Sequence, residues 1–277
     1  MENFLTIEFV YLCMKYFVLV GISMSTIELL YNWKSFKNNR LYSWKVIATL
    51  RYFNEKNPIH QLTNILLKYP NFLGILVFRL VIILLLVLPG IWTYSQAPLL
   101  LMLVLTSLLI NYRSPFGQDG SDQMSSIVIV VLFLYHINPE NLIVAQAGIW
   151  FIALQSLLSY FTAGFFKAKG EKWTKRPNAV YLIFNTATYG SKPIAGYLQG
   201  RQAAITFLTW STVAVEVAFP LVLFTGYPGM IIFLGWGLSF HLMNALVMGL
   251  NSFLWAFLAT YGAIIYCCLQ LSQYWIF

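Results

Sequence analysis

The sequence predicts an all-α integral membrane protein, a polytopic bundle of about eight transmembrane helices with interfacial helices. Three observations carry this reading. Of 277 residues, 59% are hydrophobic and only 9% are charged, against about 25% charged in an ordinary soluble domain. Long apolar runs recur from end to end, so no soluble domain stands apart and residues 1–277 read as a single membrane domain. The net charge of +8 collects in two loops, where a membrane surface explains it better than nucleic acid does.

A helix needs roughly 20 apolar residues to cross the hydrocarbon core of a bilayer. The runs that qualify are 8–32, 71–93, 97–112, 124–138, 143–167, 203–225, 229–249 and 252–275. The third and fourth are short and are expected to lie among the other helices. The first contains Lys15 and Glu28 and has no small-residue cleavage site, so it reads as a span rather than a removed signal peptide. One basic loop carries Lys34, Lys37, Arg40, Lys45, Arg51, Lys56 and Lys68 against Glu55 alone. The other carries Lys167, Lys169, Lys172, Lys175, Arg176, Lys192 and Arg201 against Glu171 alone. The four crossings between them return both loops to one side. The positive-inside rule makes that side cytoplasmic, with both termini outside.

Within the first loop, residues 41–53 (LYSWKVIATLRYF) alternate apolar and basic positions at near-helical spacing and are expected to lie flat at the interface. Residues 177–200 carry Pro177, Gly190, Pro193, Gly196 and Gly200, so turns and a short helix are expected there. The sequence shows no internal repeat and no low-complexity tract. Cys13, Cys267 and Cys268 sit in apolar runs without metal-ligand spacing, and no metal is predicted.

Ionisable side chains at membrane depth are costly and therefore mark candidate sites. Glu216 lies near the middle of the 203–225 run, with Pro220 four residues on. It reads either as half of a structural pair or as part of a site. Lys167 closes the run QSLLSYFTAGFFK. Ser156, Tyr160, Gly164 and Lys167 fall at helical offsets of 0, 4, 8 and 11 and so share one face. Ala163 and Gly164 thin that face for close helix packing. Lys167 is either a snorkelling lysine at a helix end or a general base. His241 and Asn244, three apart in SFHLMNALVMGL, form either a satisfied core pair or part of a polar pocket. In the loop 113–123, Asp119 and Asp122 read as a capped turn, with Ser121 or Asp122 as the helix cap. Too few ligands surround them for a cation site. His60 and His136 look interfacial.

Three segments, in chain order, resemble the HTTM family, whose membrane domain is shared with vitamin K-dependent gamma-glutamyl carboxylase. YFTAGFFKAKGEKW (160–173) is similar to that family's Tyr-Phe-x-Ala-Gly segment with its following lysine and Trp173. VAVEVAFPLVLF (213–224) resembles a family helix bearing one acid, here Glu216, and FHLMNALVMGL (240–250) resembles its Phe-His-x-Met-Asn helix. The similarity spans about residues 70–265, with 1–69 as an added helix and basic loop.

The resemblance implies Lys167 and His241 as catalytic residues, with Asn244, Glu216, Tyr160, Ser156 and Trp173 around the substrate or cofactor. It implies a reduced naphthoquinone (menaquinol or vitamin K hydroquinone), a peptide or small-protein substrate and a bacterial cytoplasmic membrane. By size it points to the short branch that matures peptide toxins of the sporulation-delaying type. On this reading the carboxylase's large lumenal domain is absent, and Phe166 replaces a second lysine of the animal enzyme. The topology above puts Lys167 near the cytoplasmic face, whereas the carboxylase acts on lumenal substrates. Either the site opens across the membrane or the parity is odd.

Two functions remain open at this level: a quinol-dependent membrane enzyme or enzyme subunit, and a non-catalytic partner that binds a peptide or another protein. The topology has its own test. Cysteines placed at Asn38 and at Lys172 should react with an impermeant maleimide from the same side of the membrane; labelling from opposite sides overturns the parity.

Overall fold

In hydrocarbon every backbone N–H and C=O must be paired inside its own segment, which leaves the helix as the economical way for these apolar runs to cross. The computed structural model describes residues 5–50, 57–88, 96–114 and 119–273. All regular structure among the described residues is helical. The chain divides into two compact units, Met14–Ala145 and Met1–Cys13 with Gln146–Phe277.

The first unit takes in most of α1 (Ile7–Tyr31), the short α2 (Trp44–Thr49), α3 (Pro58–Leu67), α4 (Asn71–Val87), α5 (Ala97–Arg113) and α6 (Gly120–Ile137). The expected flat segment 41–53 supplies α2, whose Trp44 and Ile47 are buried, while residues 51–53 lie outside the described residues. α3 starts on Asn57, whose side chain accepts from the Ile59 N–H at 2.9 Å, with Pro58 at its first position. Its Ile59, Leu62 and Ile65, at positions i, i+3 and i+6, are 68%, 56% and 59% exposed. That apolar stripe suits a helix lying on lipid, and α3 meets α4 at an angle of 81°. α6 is capped by Asp119, whose carboxylate accepts from the N–H groups of Ser121 (2.8 Å) and Asp122 (2.9 Å). The cap is therefore Asp119, two residues before Ser121 and three before Asp122. Gly117, in the same loop, lies outside the described residues.

Arg113, at the end of α5, holds the interfacial part of this unit together. Its guanidinium donates to the carbonyls of Leu67 (3.2 Å) and Tyr42 (2.9 Å). The same group lies over the rings of Phe72 (4.1 Å) and Phe36 (4.6 Å).

The second unit contains α7 (Leu142–Lys169), the short α8 (Ala179–Phe184) and α9 (Lys192–Leu198), then α10 (Gln202–Ala218), α11 (Gly226–Met248) and α12 (Asn251–Ser272). Beyond α10 the chain continues as a 3-10 helix over Phe219–Phe224. Pro220 has no N–H to give the Glu216 carbonyl, and the Phe219 N–H bonds it instead, tightening the turn. α11 ends on Gly249 in the left-handed region (φ 72°), where Leu250 N–H returns to the Asn244 carbonyl at 3.2 Å and the chain reverses into α12.

Among the described residues, six helices are long and apolar enough to cross a membrane: α1, α6, α7, α10 with its 3-10 extension, α11 and α12. The runs expected at 71–93 and 97–112 form α4 and α5, of 17 residues each. That length spans about 26 Å at 1.5 Å per residue, slightly short of the hydrocarbon core. Residues 89–93 of the first of these runs lie outside the described residues. The 177–200 segment yields two short helices, α8 and α9, where one was expected.

Arg113→Ala would strand two buried carbonyls and uncover two rings. It should lower stability by about 2–4 kcal/mol, read as a drop in thermal unfolding temperature in detergent. Arg113→Lys, which lacks the planar fork, should recover only part of that loss.

Candidate functional site

One face of α7 carries the polar side chains that the 3.6-residue period places together, and each meets a different helix of its own unit. Ser156, near mid-helix, lies 2.8 Å from the Thr260 hydroxyl of α12. Thr260 donates to the Phe257 carbonyl of its own helix at 2.7 Å, so Ser156 is the donor between them. One turn on, the Tyr160 hydroxyl is 2.8 Å from His241 Nε2 on α11 and 3.2 Å from the Tyr261 hydroxyl on α12. The Tyr160 ring stacks on Phe219 at 3.8 Å, and the His241 ring stacks on Phe257 at 4.4 Å. Tyr160 and His241 are 3% and 4% exposed.

Two glycines let these helices approach. A Cβ at Gly164 would lie 2.7 Å from Val217 N and 2.8 Å from Glu216 Cβ, so α7 and α10 meet there backbone to backbone. A Cβ at Gly237 would meet the Tyr261 hydroxyl, with the Tyr160 hydroxyl at 3.0 Å and Phe219 at 3.2 Å.

At the end of the stripe, Lys167 Nζ donates to Glu216 Oε1 in a direct ion pair. The carboxylate side chain is 3% exposed and the lysine 25%. The ammonium also lies 5.3 Å from the Trp173 ring centroid and 5.7 Å from that of Phe240. Trp173 folds back against Gly170, where a Cβ would sit 3.0 Å from the indole, so the glycine lets the ring return toward Lys167. Two polar atoms of this network, Glu216 Oε2 and His241 Nδ1, are buried without a hydrogen-bond partner. Burying such atoms unpaired is costly, so they mark where a ligand or water is required.

Lys167, Glu216 and Trp173 thus form one cluster, and Tyr160 and His241 an adjoining one, with Ser156 a turn beyond. Asn244 stands apart: its half-buried amide makes no hydrogen bond to a described residue, and its carbonyl serves the helix end. Sequence reasoning missed Tyr261, Phe219 and Phe240. A tyrosine within the apolar run of α12 was a signal for the first, since a buried phenol needs a partner. The two phenylalanines are indistinguishable in sequence from lipid-facing ones.

No protein-family model, curated protein or solved structure matches the chain. The HTTM resemblance rests on its three motifs.

Gly164→Val should push α7 from α10 and part Lys167 from Glu216, with an expected loss of about 1–3 kcal/mol. Thermal unfolding in detergent checks it. Gly196→Ala on α9 is the control, because nothing lies within 4 Å of a Cβ there.

Proposed function

We propose that this chain is an HTTM-like membrane enzyme, or enzyme subunit, that draws a proton from a lipid-soluble quinol at the Lys167–Glu216 pair and thereby modifies a secreted peptide. The observation that carries the reading is convergence. Lys167 and Glu216 are 49 residues apart and Tyr160 and His241 are 81 apart, yet they meet in two adjoining contacts. These four residues are drawn from all three motifs of the HTTM resemblance.

The site fits a small apolar ligand with polar edges. Glu216 Oε2 and His241 Nδ1 lack partners, and the rings of Trp173 and Phe240 flank the ammonium. A reduced naphthoquinone, menaquinol or vitamin K hydroquinone, would be held there, and its oxidation by O2 would supply the strong base that removes a proton from the peptide. Glu216 takes the proton of a hydroxyl brought against Oε2: one O–H bond breaks, another forms, and the negative charge passes to the donor oxygen. Lys167 stays in place as the cation that offsets that charge. The base is then the pair rather than Lys167 alone, because a lysine already bonded to a carboxylate holds its protons. Tyr160 and Tyr261 orient His241, Ser156 braces α7 against α12, and Asn244 offers a donor one turn farther along α11. In this reading α4 and α5 also cross, giving eight spans in a bacterial cytoplasmic membrane, with both basic loops on the cytoplasmic side.

A second reading has an observation of its own. The ion pair gives Lys167 and Glu216 a structural role, which suits a non-catalytic partner that binds a peptide or another subunit.

Glu216→Gln separates the two, with Lys167→Arg as its charge-preserving companion. Arginine pairs with Glu216 and keeps the helices together, but its guanidinium differs in size, fork and proton affinity. Protein in nanodiscs is given vitamin K hydroquinone and oxygen, and oxidised quinone products are measured against empty discs. Turnover by the wild type should fall by about 10²–10⁴-fold in Glu216→Gln, which removes the proton acceptor, and by less in Lys167→Arg, which keeps the cation. Wild-type turnover no faster than empty discs establishes the partner reading instead, and turnover unchanged in both variants overturns the role given to the Lys167–Glu216 pair.

A further inference from the structure

The unit Met14–Ala145 buries three cationic side chains among its described residues: Lys15, Arg79 and Arg113. Two of them are answered by protein. Lys15 donates to Gln96 Oε1 at 3.2 Å. Arg113 has its two carbonyls and two rings. Arg79 is different. It is 6% exposed at the centre of α4, and it makes no hydrogen bond or ion pair to any described residue. Its Nε is buried without a partner.

A guanidinium has five N–H donors in a planar fork, and burying even the Nε–H unpaired is costly. The neighbours do not relieve it. α5 packs against both α4 and α6, but its buried Thr106 and Ser107 hydroxyls both turn back to the Leu103 carbonyl. On α6, the Asp119 carboxylate is engaged by the helix cap, and the Ser126 hydroxyl donates to the Asp122 carbonyl. Asp122 is the acid whose field reaches Arg79, and it is not in ion-pair contact with it. The charge is therefore countered at a distance while the donors stay open.

We propose that Arg79 is the anchor of an oxyanion site in this unit, which takes a phosphate group, either the headgroup of an anionic phospholipid or free phosphate. The planar fork matches two phosphate oxygens at once. Arg79 lies eight residues past the start of α4, about 12 Å along its axis. α4 follows directly on α3, whose exposed apolar stripe suits a lipid surface. Asp122 competes with it for the same cation.

The test uses the whole protein in detergent, with thermal unfolding followed as dioleoyl-phosphatidylglycerol, dioleoyl-phosphatidylcholine or inorganic phosphate is added. Phosphatidylglycerol should raise the wild-type unfolding temperature more than phosphatidylcholine does. A matching rise with inorganic phosphate identifies the free anion as the ligand, and its absence identifies the lipid headgroup. The differential should vanish in Arg79→Leu, which should also melt no lower than wild type without lipid, because it removes an unpaired buried charge. Arg79→Lys, keeping the charge but not the fork, should retain only part of the differential. Asp122→Asn removes the competing charge while leaving an amide oxygen to accept from the Asp119 backbone N–H, and should tighten phosphatidylglycerol binding by about threefold or more. Equal stabilisation of wild type and Arg79→Leu by phosphatidylglycerol overturns the proposal. So does weaker binding by Asp122→Asn, a measurement that stands even if the leucine variant fails to fold.

Discussion

A bilayer interior offers no hydrogen bond of its own, and that absence governs how the polar side chains along α7 are placed. The stripe on α7 is the clearest outcome. Ser156, Tyr160 and Lys167 would each be a liability against acyl chains, and each is met by a partner on another helix: Thr260, His241 with Tyr261, and Glu216. The stripe thereby ties α7 to α12, α11 and α10 in turn. Apolar contact alone would specify these neighbours poorly, since lipid tails are as apolar as leucine.

Glycine supplies the other half of that arrangement. The polar partners reach one another only because α7 and α10 approach at Gly164, and because Gly237 leaves room for two phenol hydroxyls. Small residues and polar residues are thus interdependent here: the first set the distance, the second make it specific. Pro220 adds a third device. By withdrawing the donor that the Glu216 carbonyl would have had, it changes the helix type immediately beyond the acid and brings Phe219 against Tyr160.

The two ends of the network differ in character. Tyr160, His241 and Tyr261 are deeply enclosed by aromatic rings, whereas Lys167 retains a quarter of its exposure. A ligand or proton arriving from the lysine end would meet an ion pair first and the histidine cluster later. The exposed cation beside a buried carboxylate also divides the labour of the pair, since the acid carries most of the desolvation and the lysine lends the compensating charge.

Composition and apolar run length determined by themselves that the chain is helical and belongs in a membrane, because hydrocarbon admits few alternatives for long apolar segments. Periodicity alone placed Ser156, Tyr160, Gly164 and Lys167 on one face, since a helix maps sequence offsets directly onto angle. Which helices that face would meet was decided only by the tertiary structure. Glu216, the clearest candidate in the sequence, and His241 joined the network, while Asn244, paired with His241 by spacing, did not. Asn244 lies where α11 ends, and no described polar group comes within hydrogen-bond reach of its amide. Arg79 shows the converse: it was not singled out in the sequence, and that its Nε goes unanswered while the guanidinium of Arg113 is bonded is a fact of packing. Partner choice between distant segments depends on helix crossing and depth, and neither is written in local sequence spacing.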